Sequence, residues 1–351
     1  MRIMISILMI FLISAMLNAE NTIQMNLKKT VQVGKKDVTF YAISSICEDD
    51  EENFYVMDYK AYKVYKFSPT GKFLTGFGQK GEGPGDFKMS ARVYFSKKLG
   101  IIVTEIMNEV SIFTREAKFL KKINLAAKFG HTFKVKYAGG ALFYAELQKP
   151  DRRRHQVIVD QDLKIVNKDL LSRPDWEVVG NDEIRYTLSF PEFTPGLLFG
   201  YFNGYAAAAI TNKYEILLLK EGKVIRKFKR NVSPDKISSK EKDKFIKEIK
   251  DIKDWPPSVK NKFIDGIPKY KNFLREILIS RDYLFVFRVK EDTLKEESPY
   301  PVDVFKLSGE YLGSIHLKEL PKLISGRYMY FTETDEEDDL VVVKYSYELK
   351  K

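Results

Sequence analysis

The sequence predicts an all-β fold, a six-bladed β-propeller with a short helical insertion between its fourth and fifth blades. Three observations predict it: a repeated unit of alternating apolar runs and turns, a spare strand near the N-terminus, and a glycine-rich link after the first unit. The 351 residues are 44% hydrophobic and include 20 Tyr and 25 Phe. Aromatic residues suit the pleated, half-buried surface of a β-sheet, so the composition also favours β structure.

The clearest repeat unit lies at residues 52–78. Its alternating runs at 54–57, 62–67 and 72–77 are separated by a polar turn and by the turn Ser-Pro-Thr-Gly at 68–71. Proline and glycine supply the φ values that such hairpin turns require. The pattern returns at residues 100–123, 139–166, 203–228, 282–315 and 326–349. A further short apolar stretch precedes each copy, so four strands per unit and six units describe a six-bladed propeller.

The two ends of the chain are complementary. The last unit supplies two strands and lacks its outer strand, whereas residues 22–33 form an alternating segment that belongs to no unit. We expect this segment to pair with the last unit, because the pairing would close the ring and leave no free sheet edge.

The first unit also resembles a known family. Residues 52–87 read ENFYVMDYKAYKVYKFSPTGKFLTGFGQKGEGPGDF, which resembles the NHL-type repeat of secreted bacterial six-bladed β-propeller proteins: an Asn-Ile-Tyr-Val-x-Asp strand, a Phe-x-Pro-x-Gly turn and Gly-x-Gly-Pro-Gly-Glu-Phe. The resemblance is close over this unit and is limited to the pattern over the other five. It implies that the glycine-rich stretch connects one blade to the next.

The glycine-rich stretch at 76–87 therefore predicts a structural connection. We expect Gly81, Gly83 and Gly85 to supply backbone angles that other residues resist, and Pro84 to stiffen the bend. The rival interpretation, a nucleotide-binding loop, requires a following helix or a βαβ unit. Strand patterns lie on both sides of the stretch instead.

The N-terminus resembles an export signal. Arg2 precedes an apolar run at 3–17, and a small residue, Ala19, precedes a polar start at Glu20. This pattern predicts a signal peptide at 1–19 and a propeller at 20–351, placed in the periplasm, at the cell surface or outside the cell. A retained anchor or a buried helix is the alternative. The single cysteine, Cys47, can form no internal disulfide and is expected to be buried near a strand end.

A non-repeating segment separates the fourth and fifth copies. Ser238 and Glu241 form a capping box, and Phe245, Ile249 and Ile252 recur at helical spacing. We expect a helical insertion at 233–265 that packs its apolar side on the propeller. The alternative is a basic amphipathic element that contacts a partner protein or, less favoured because its apolar stripe is narrow, a membrane surface through 238–255.

The sequence contains no recognisable catalytic or metal-binding motif. His131, His155 and His316 lie at non-equivalent positions without metal-ligand spacing, and no Gly-x-Ser-x-Gly is present. The acidic runs at 48–52 and 335–339 lack the pattern of a calcium loop. We therefore predict no catalytic residues, no metal and no cofactor. The alternative hypothesis is a metal-dependent propeller enzyme of the lyase or lactonase type.

The predicted function is binding or scaffolding by a monomeric, exported module. A net charge of +11 favours an acidic protein or polar ligand, and export argues against nucleic acid. In a propeller the turns between second and third strands share one face with the blade connections, and loops on a rigid scaffold commonly carry binding groups. Arg92 is expected at the mouth of the central channel, and the turn at 152–154 is expected to contact an acidic partner. The candidate binding residues are Asp58, Tyr59, Lys60, Arg92, Glu105, Asn108, Arg152, Arg153 and Arg154.

Overall fold

The computed structural model describes residues 22–35, 37–105, 109–130, 132–148, 153–174, 179–180, 185–186 and 190–350. The predicted signal peptide at 1–19 lies outside these ranges, as do Asn108, His131 and Arg152.

Within the described ranges, six four-stranded antiparallel sheets form the blades. In chain order, β1 (Gln24–Val33) comes first, and blade 1 consists of β2 (Ile43–Glu48), β3 (Phe54–Asp58), β4 (Lys63–Phe67) and β5 (Phe73–Phe77). Blade 2 consists of β6 (Ser90–Ser96), β7 (Gly100–Glu105), β8 (Glu109–Phe113) and β9 (Phe119–Asn124), and a short helix α1 (Ala126–Phe129) follows it. Blade 3 consists of β10 (Thr132–Gly139), β11 (Leu142–Gln148), β12 (Arg153–Asp160) and β13 (Ile165–Pro174).

The second half of the chain continues the pattern. A small hairpin of β14 (Val179–Gly180) and β15 (Arg185–Tyr186) precedes blade 4, which consists of β16 (Leu197–Phe202), β17 (Tyr205–Ile210), β18 (Glu215–Lys220) and β19 (Lys223–Lys229). Helices α2 (Ser239–Asp251) and α3 (Pro257–Asp265) follow, and then blade 5 consists of β20 (Leu274–Ile279), β21 (Tyr283–Arg288), β22 (Tyr300–Lys306) and β23 (Tyr311–Leu317). Blade 6 takes β24 (Leu323–Ile324), β25 (Tyr328–Thr334) and β26 (Leu340–Lys350) from the C-terminal end.

The ring closes as the sequence predicts. The sheet of blade 6 has the order β1-β26-β25-β24, so β1 supplies the outer strand that the last unit lacks. Gln24 lies opposite Lys350, and Val33 lies opposite Val342 in this antiparallel pair. The first and last segments of the chain therefore share one sheet.

The hydrophobic core lies between neighbouring blades. In strand β3, for example, Phe54, Tyr55, Val56 and Met57 are all 0% exposed. The preceding blade covers one face of the sheet and the following blade covers the other. The inner strands of blades 4 and 5 approach so closely that a Cβ at Gly200 would lie 2.5 Å from the carbonyl oxygen of Ile277. Only glycine fits at that position.

The glycine-rich link connects β5 to β6, as predicted, but its glycines act in two different ways. Gly85 has a φ of +85°, which favours glycine. Gly81 and Gly83 have no such φ, so the prediction of unusual backbone angles is wrong for them. A Cβ at Gly81 would lie 2.3 Å from the carboxylate oxygen Oδ2 of Asp86, so this position needs space. Gly83 donates its amide hydrogen to the same carboxylate at 3.0 Å.

The helical insertion lies between blades 4 and 5 and buries its apolar side. The Ser238 side chain and Glu241 form the predicted capping box at the start of α2. Phe245 and Ile249 of α2 join Val259 and Phe263 of α3 and Phe193, which lies just before blade 4, in one buried cluster. The interpretation that the apolar stripe serves packing is therefore confirmed. Within the described ranges, none of the helices is both long and apolar enough to span a membrane.

Candidate functional site

The two ends of the ring carry different connections. Strands alternate in direction within each blade, so the turns between first and second strands lie at one end, which we call the cavity face. The turns between second and third strands lie at the other end, together with the links from one blade to the next; we call this end the connection face. The insertion of α2 and α3 belongs to the connection face, since it forms the link from blade 4 to blade 5.

A cavity of about 550 Å³ occupies the centre of the ring. The innermost strand of every blade contributes to its wall, from β2, β6, β10, β16, β20 and β24. Residues that follow the ends of these strands form its mouth: Asp50, Lys97, Asn203, Arg281 and Arg327. Because those residues belong to turns between first and second strands, the cavity opens on the cavity face.

A second set of charged residues lies deeper in the same cavity. Arg92, Lys136, Glu276 and Lys322 precede the ends of their inner strands by two to four residues. A strand advances about 3.3 Å per residue, which places these side chains roughly 10 Å below the mouth. We call these four residues the inner layer. It contains three cations and one carboxylate. Arg92, Lys136 and Glu276 lie on the inner strands of blades 2, 3 and 5, and Lys322 directly precedes the inner strand of blade 6.

The cations of the inner layer influence one another. Burial, with the nearby charge of Arg92 adding to it, lowers the pKa of Lys136 to about 7. Burial and the charge of Arg92 likewise lower the pKa of Lys322. Arg92 is therefore close enough to act on both lysines. The ammonium group of Lys136 donates a hydrogen bond of 2.6 Å to the carbonyl oxygen of Phe199 in the neighbouring blade.

The acidic run at 48–52 is largely occupied by the protein itself. Asp49 accepts hydrogen bonds from the amide of Asn53 at 2.9 Å and from the hydroxyl of Tyr55 at 3.0 Å. Asp50 binds the guanidinium of Arg115 at 2.7 Å. Burial raises the pKa of Glu48, although hydrogen bonds from the hydroxyls of Tyr330 and Ser325 oppose this effect. These contacts stabilise the turn between β2 and β3.

Two of the predicted binding residues are buried and serve the backbone. Asp58 is 0% exposed and Glu105 is 2% exposed, so neither carboxylate is presented to solvent on the connection face. Asp58 accepts hydrogen bonds from four backbone amides, of residues 41, 42, 60 and 61. Glu105 accepts from the amides of residues 88 and 89. These two carboxylates therefore stabilise the backbone of the turns and links next to their strand ends.

The other predicted residues are spread over the connection face. Tyr59 and Lys60 are exposed. The guanidinium of Arg153 donates to the side chain of Ser172 at 3.2 Å, and Arg154 lies beside it at the start of β12. In the acidic turn at 335–339, Glu337 forms an ion pair with Lys35. Among the described candidates, Arg92 alone lines the central cavity.

Sequence reasoning did not identify Lys136, Glu276 and Lys322. A sequence signal for them was present. Each is a charged residue in or directly before the apolar inner strand of its unit, at a similar distance from the end of that strand. The described ranges contain no cluster of three or more His, Cys, Asp or Glu side chains arranged to hold a metal ion. Cys47 lines the cavity, but burial raises its pKa well above the usual value, so the thiol stays protonated.

A family model described as a six-bladed β-propeller, DUF5128, matches residues 33–175. The chain is a six-bladed β-propeller. The crystal structure of a predicted exported protein from Bacteroides fragilis resembles this propeller with 14% identity and a TM-score of 0.58, covering 95% of this chain and 97% of that chain. A DUF4221 family member from Bacteroides vulgatus shares 12% identity with a TM-score of 0.60, covering 94% of this chain and 99% of that chain.

More distant similarity extends to an enzyme. A streptogramin B lyase shares 10% identity with a TM-score of 0.43, covering 92% of this chain and 87% of that chain. No curated protein matches the propeller in sequence. At their identities the two Bacteroides structures show the fold alone.

Proposed function

We propose that this propeller is an exported, non-catalytic binding module whose central cavity holds a small polar ligand. One observation carries the proposal: a cavity of about 550 Å³ whose wall combines aromatic side chains with the charged inner layer. Cavities of roughly 300–1,000 Å³ with a few converging polar groups are typical of small-molecule sites. The ligand enters from the cavity face.

A binding role fits the cavity better than a catalytic one. Its wall supplies charge and aromatic surface, from Tyr137, Tyr201 and Tyr328 among others. Cys47 is a protonated thiol, and Lys136 is held by the carbonyl of Phe199. Neither group has the nucleophile–base pairing that activates a covalent catalyst.

Export is supported by the predicted signal peptide and by the similar Bacteroides fragilis structure, which belongs to a predicted exported protein. Expression of the full chain in a bacterium that secretes through signal peptides tests it. We expect the protein outside the cytoplasm, with Glu20 as its first residue by N-terminal sequencing. A cytoplasmic protein that still begins at Met1 would contradict export.

Two matched variants test the site. Gly326 lies at the cavity mouth, and a Cβ there would meet the Arg281 guanidinium at 3.6 Å, an ordinary contact. Gly326→Trp therefore narrows the mouth without backbone strain. Lys60→Trp adds an equally large side chain on the connection face.

Thermal unfolding is measured with millimolar glucose, D-glucuronate, L-alanine or inorganic phosphate. We expect at least one probe to raise the Tm of the parent and of Lys60→Trp, but not that of Gly326→Trp. The opposite pattern would place the site on the connection face, where sequence reasoning expected it. If no probe changes the Tm of the parent, the proposed function is wrong for these ligand classes.

A further inference from the structure

The three cations of the inner layer form no close ion pair with a described carboxylate. Arg92, Lys136 and Lys322 come from blades 2, 3 and 6 and line one cavity. Within the described ranges, no carboxylate oxygen lies within the 4.0 Å ion-pair distance of any of these three side chains. We call them the cationic cluster.

Three other cations of the described residues, each buried or partly buried, contact a carboxylate or an aromatic ring. Lys271 contacts Glu241 at 2.7 Å, and Arg230 contacts Asp303 at 2.6 Å. Lys344, which is 2% exposed, lies 3.9 Å from the centroid of the Tyr328 ring. The cationic cluster differs from these, because no close ion pair offsets the burial of its two lysines or the repulsion that Arg92 exerts on them. For Lys136 the charges of Glu276 and Glu146 offset these effects only in part. An anionic group placed among the three side chains would relieve both effects.

The neighbouring residues indicate which anion fits. Glu276 is the single carboxylate of the inner layer and raises the pKa of Lys136 by its charge. A carboxylate at this place repels an anionic group that carries no hydrogen-bond donor, so Glu276 favours a ligand that has a donor beside its anionic group. A guanidinium matches the planar carboxylate with two parallel hydrogen bonds, and the lysines add charge.

We propose that the cationic cluster binds the carboxylate of a small acidic ligand, while Glu276 accepts a hydrogen bond from a hydroxyl or ammonium group of the same molecule. The inference rests on the proposed function and specifies its ligand. Both a sugar acid and an amino acid present this pair of groups. The aromatic side chains of Tyr137, Tyr201 and Tyr328 supply surface for the remainder of the ligand.

The test compares two arginines of the same cavity. Arg92→Gln removes one charge from the cationic cluster, and Arg281→Gln removes the same charge at the mouth. Isothermal titration calorimetry follows D-glucuronate, L-alanine, glucose and inorganic phosphate binding to the full mature chain. We expect a carboxylate probe to bind the parent, Arg92→Gln to weaken it by roughly tenfold to a hundredfold, and Arg281→Gln to change it far less. Arg92→Lys, which keeps the charge and loses the planar fork, is expected to lie in between.

The outcomes separate the two proposals. D-Glucuronate binding supports a sugar acid, and L-alanine binding supports an amino acid. Glucose binding that is blocked by Gly326→Trp but unaffected by Arg92→Gln would overturn the carboxylate assignment and leave the cavity as a ligand site. Phosphate binding tighter than either carboxylate, with dependence on Arg92, would also overturn it. Circular dichroism and Tm of Arg92→Gln verify folding, and we expect equal or higher stability because repulsion is reduced.

Discussion

Asp58 and Glu105 occupy the same position in successive blades. Each residue ends the second strand of its blade, and each carboxylate accepts hydrogen bonds from two amides just before the inner strand of that blade. The distances are 2.6 and 3.1 Å for Asp58 with residues 41–42, and 2.7 and 3.3 Å for Glu105 with residues 88–89. The repeat therefore includes a buried carboxylate that fixes the entry of the chain into each of these two blades.

Replacement of Asp58 should destabilise the propeller. Asp58→Ala leaves four backbone amides without their acceptor, and unsatisfied buried amides cost about 1–3 kcal/mol each when water cannot replace the partner. We expect the free energy of unfolding in urea to fall by about 2 kcal/mol or more. Asp58→Asn should lose less, and Tyr59→Ala, at an exposed neighbour, should change it by under about 0.5 kcal/mol. Equal stability of Asp58→Ala and the parent would contradict this role.

Strand β1 should be required for a closed ring, wherever it lies in the chain. Removal of residues 22–33 exposes the edge of β26 and is expected to lower the Tm and broaden the transition. Because Gln24 lies opposite Lys350, a short turn can join residue 350 to residue 24. A permuted chain that carries 24–33 after this turn should recover the stability. If the Tm of the permuted chain is no higher than that of the chain without residues 22–33, then β1 does not contribute through its pairing with β26.

Lys136 should make stability depend on pH above neutrality. Burial and Arg92 lower its pKa to about 7, with Lys134 adding and Glu276 and Glu146 opposing. Between about pH 7 and the unfolded pKa near 10.5, the unfolded chain binds more protons than the folded one, so the contribution of Lys136 to stability rises with pH.

Lys136→Met removes the cost of holding this ammonium in a buried place. We expect the variant to be more stable than the parent at pH 6, with the difference shrinking as the pH rises toward 10. Urea titrations of the parent and the variant at several pH values measure this difference, with Lys72→Met, at an exposed lysine outside the cavity, as the control. A difference that stays constant over this range would contradict the lowered pKa.

Glu241 should make the helical insertion sensitive to acid. Burial alone would raise its pKa, but bonds from Lys271, Thr293 and Ser238 outweigh burial and lower the pKa to about 2. A carboxylate with a lowered pKa stabilises the fold above the unfolded pKa near 4.5, and this stabilisation is lost as the pH falls toward 2.

Glu241→Gln should therefore destabilise the protein near pH 7 by about 3 kcal/mol, since it leaves the ammonium of Lys271 buried without its charge partner. The difference from the parent should diminish on acidification below pH 4. Hydrogen exchange of α2 and α3 locates the effect, and Glu248→Gln, at an exposed position of the same helix, is the control. Unchanged exchange in α2 would contradict the assignment.

Local patterns made much of the fold predictable. Alternation with a period of two, together with turn residues such as Pro69 and Gly71, defines strands and hairpins without reference to distant residues. The capping box of Ser238 and Glu241 likewise marks the start of α2 within four residues. Closure was predictable because one end of the chain lacks a strand that the other end supplies.

The burial of individual polar residues was less predictable. Asp58 stands in a turn sequence that is polar throughout, and the same composition is typical of a solvated loop. Two of its four amide partners, of residues 60 and 61, lie in its own turn. The other two, of residues 41 and 42, reach Asp58 because the segment before β2 folds back against the end of β3. The role of Gly81 was equally hard to predict, since the space that it leaves for Asp86 depends on the path of the whole link.

The sequence by itself determined the number of blades, the strand that closes the ring, the helical insertion and the connecting role of residues 76–87, because each is encoded within a few neighbouring residues or in one repeated pattern. Only the tertiary structure decided which side chains share the central cavity. Arg92, Lys136, Glu276 and Lys322 span 230 residues of the chain, with successive members 44, 140 and 46 residues apart, and each belongs to a unit that looks complete without the others. They meet because six inner strands converge on one axis, a relationship that exists only once the ring has closed.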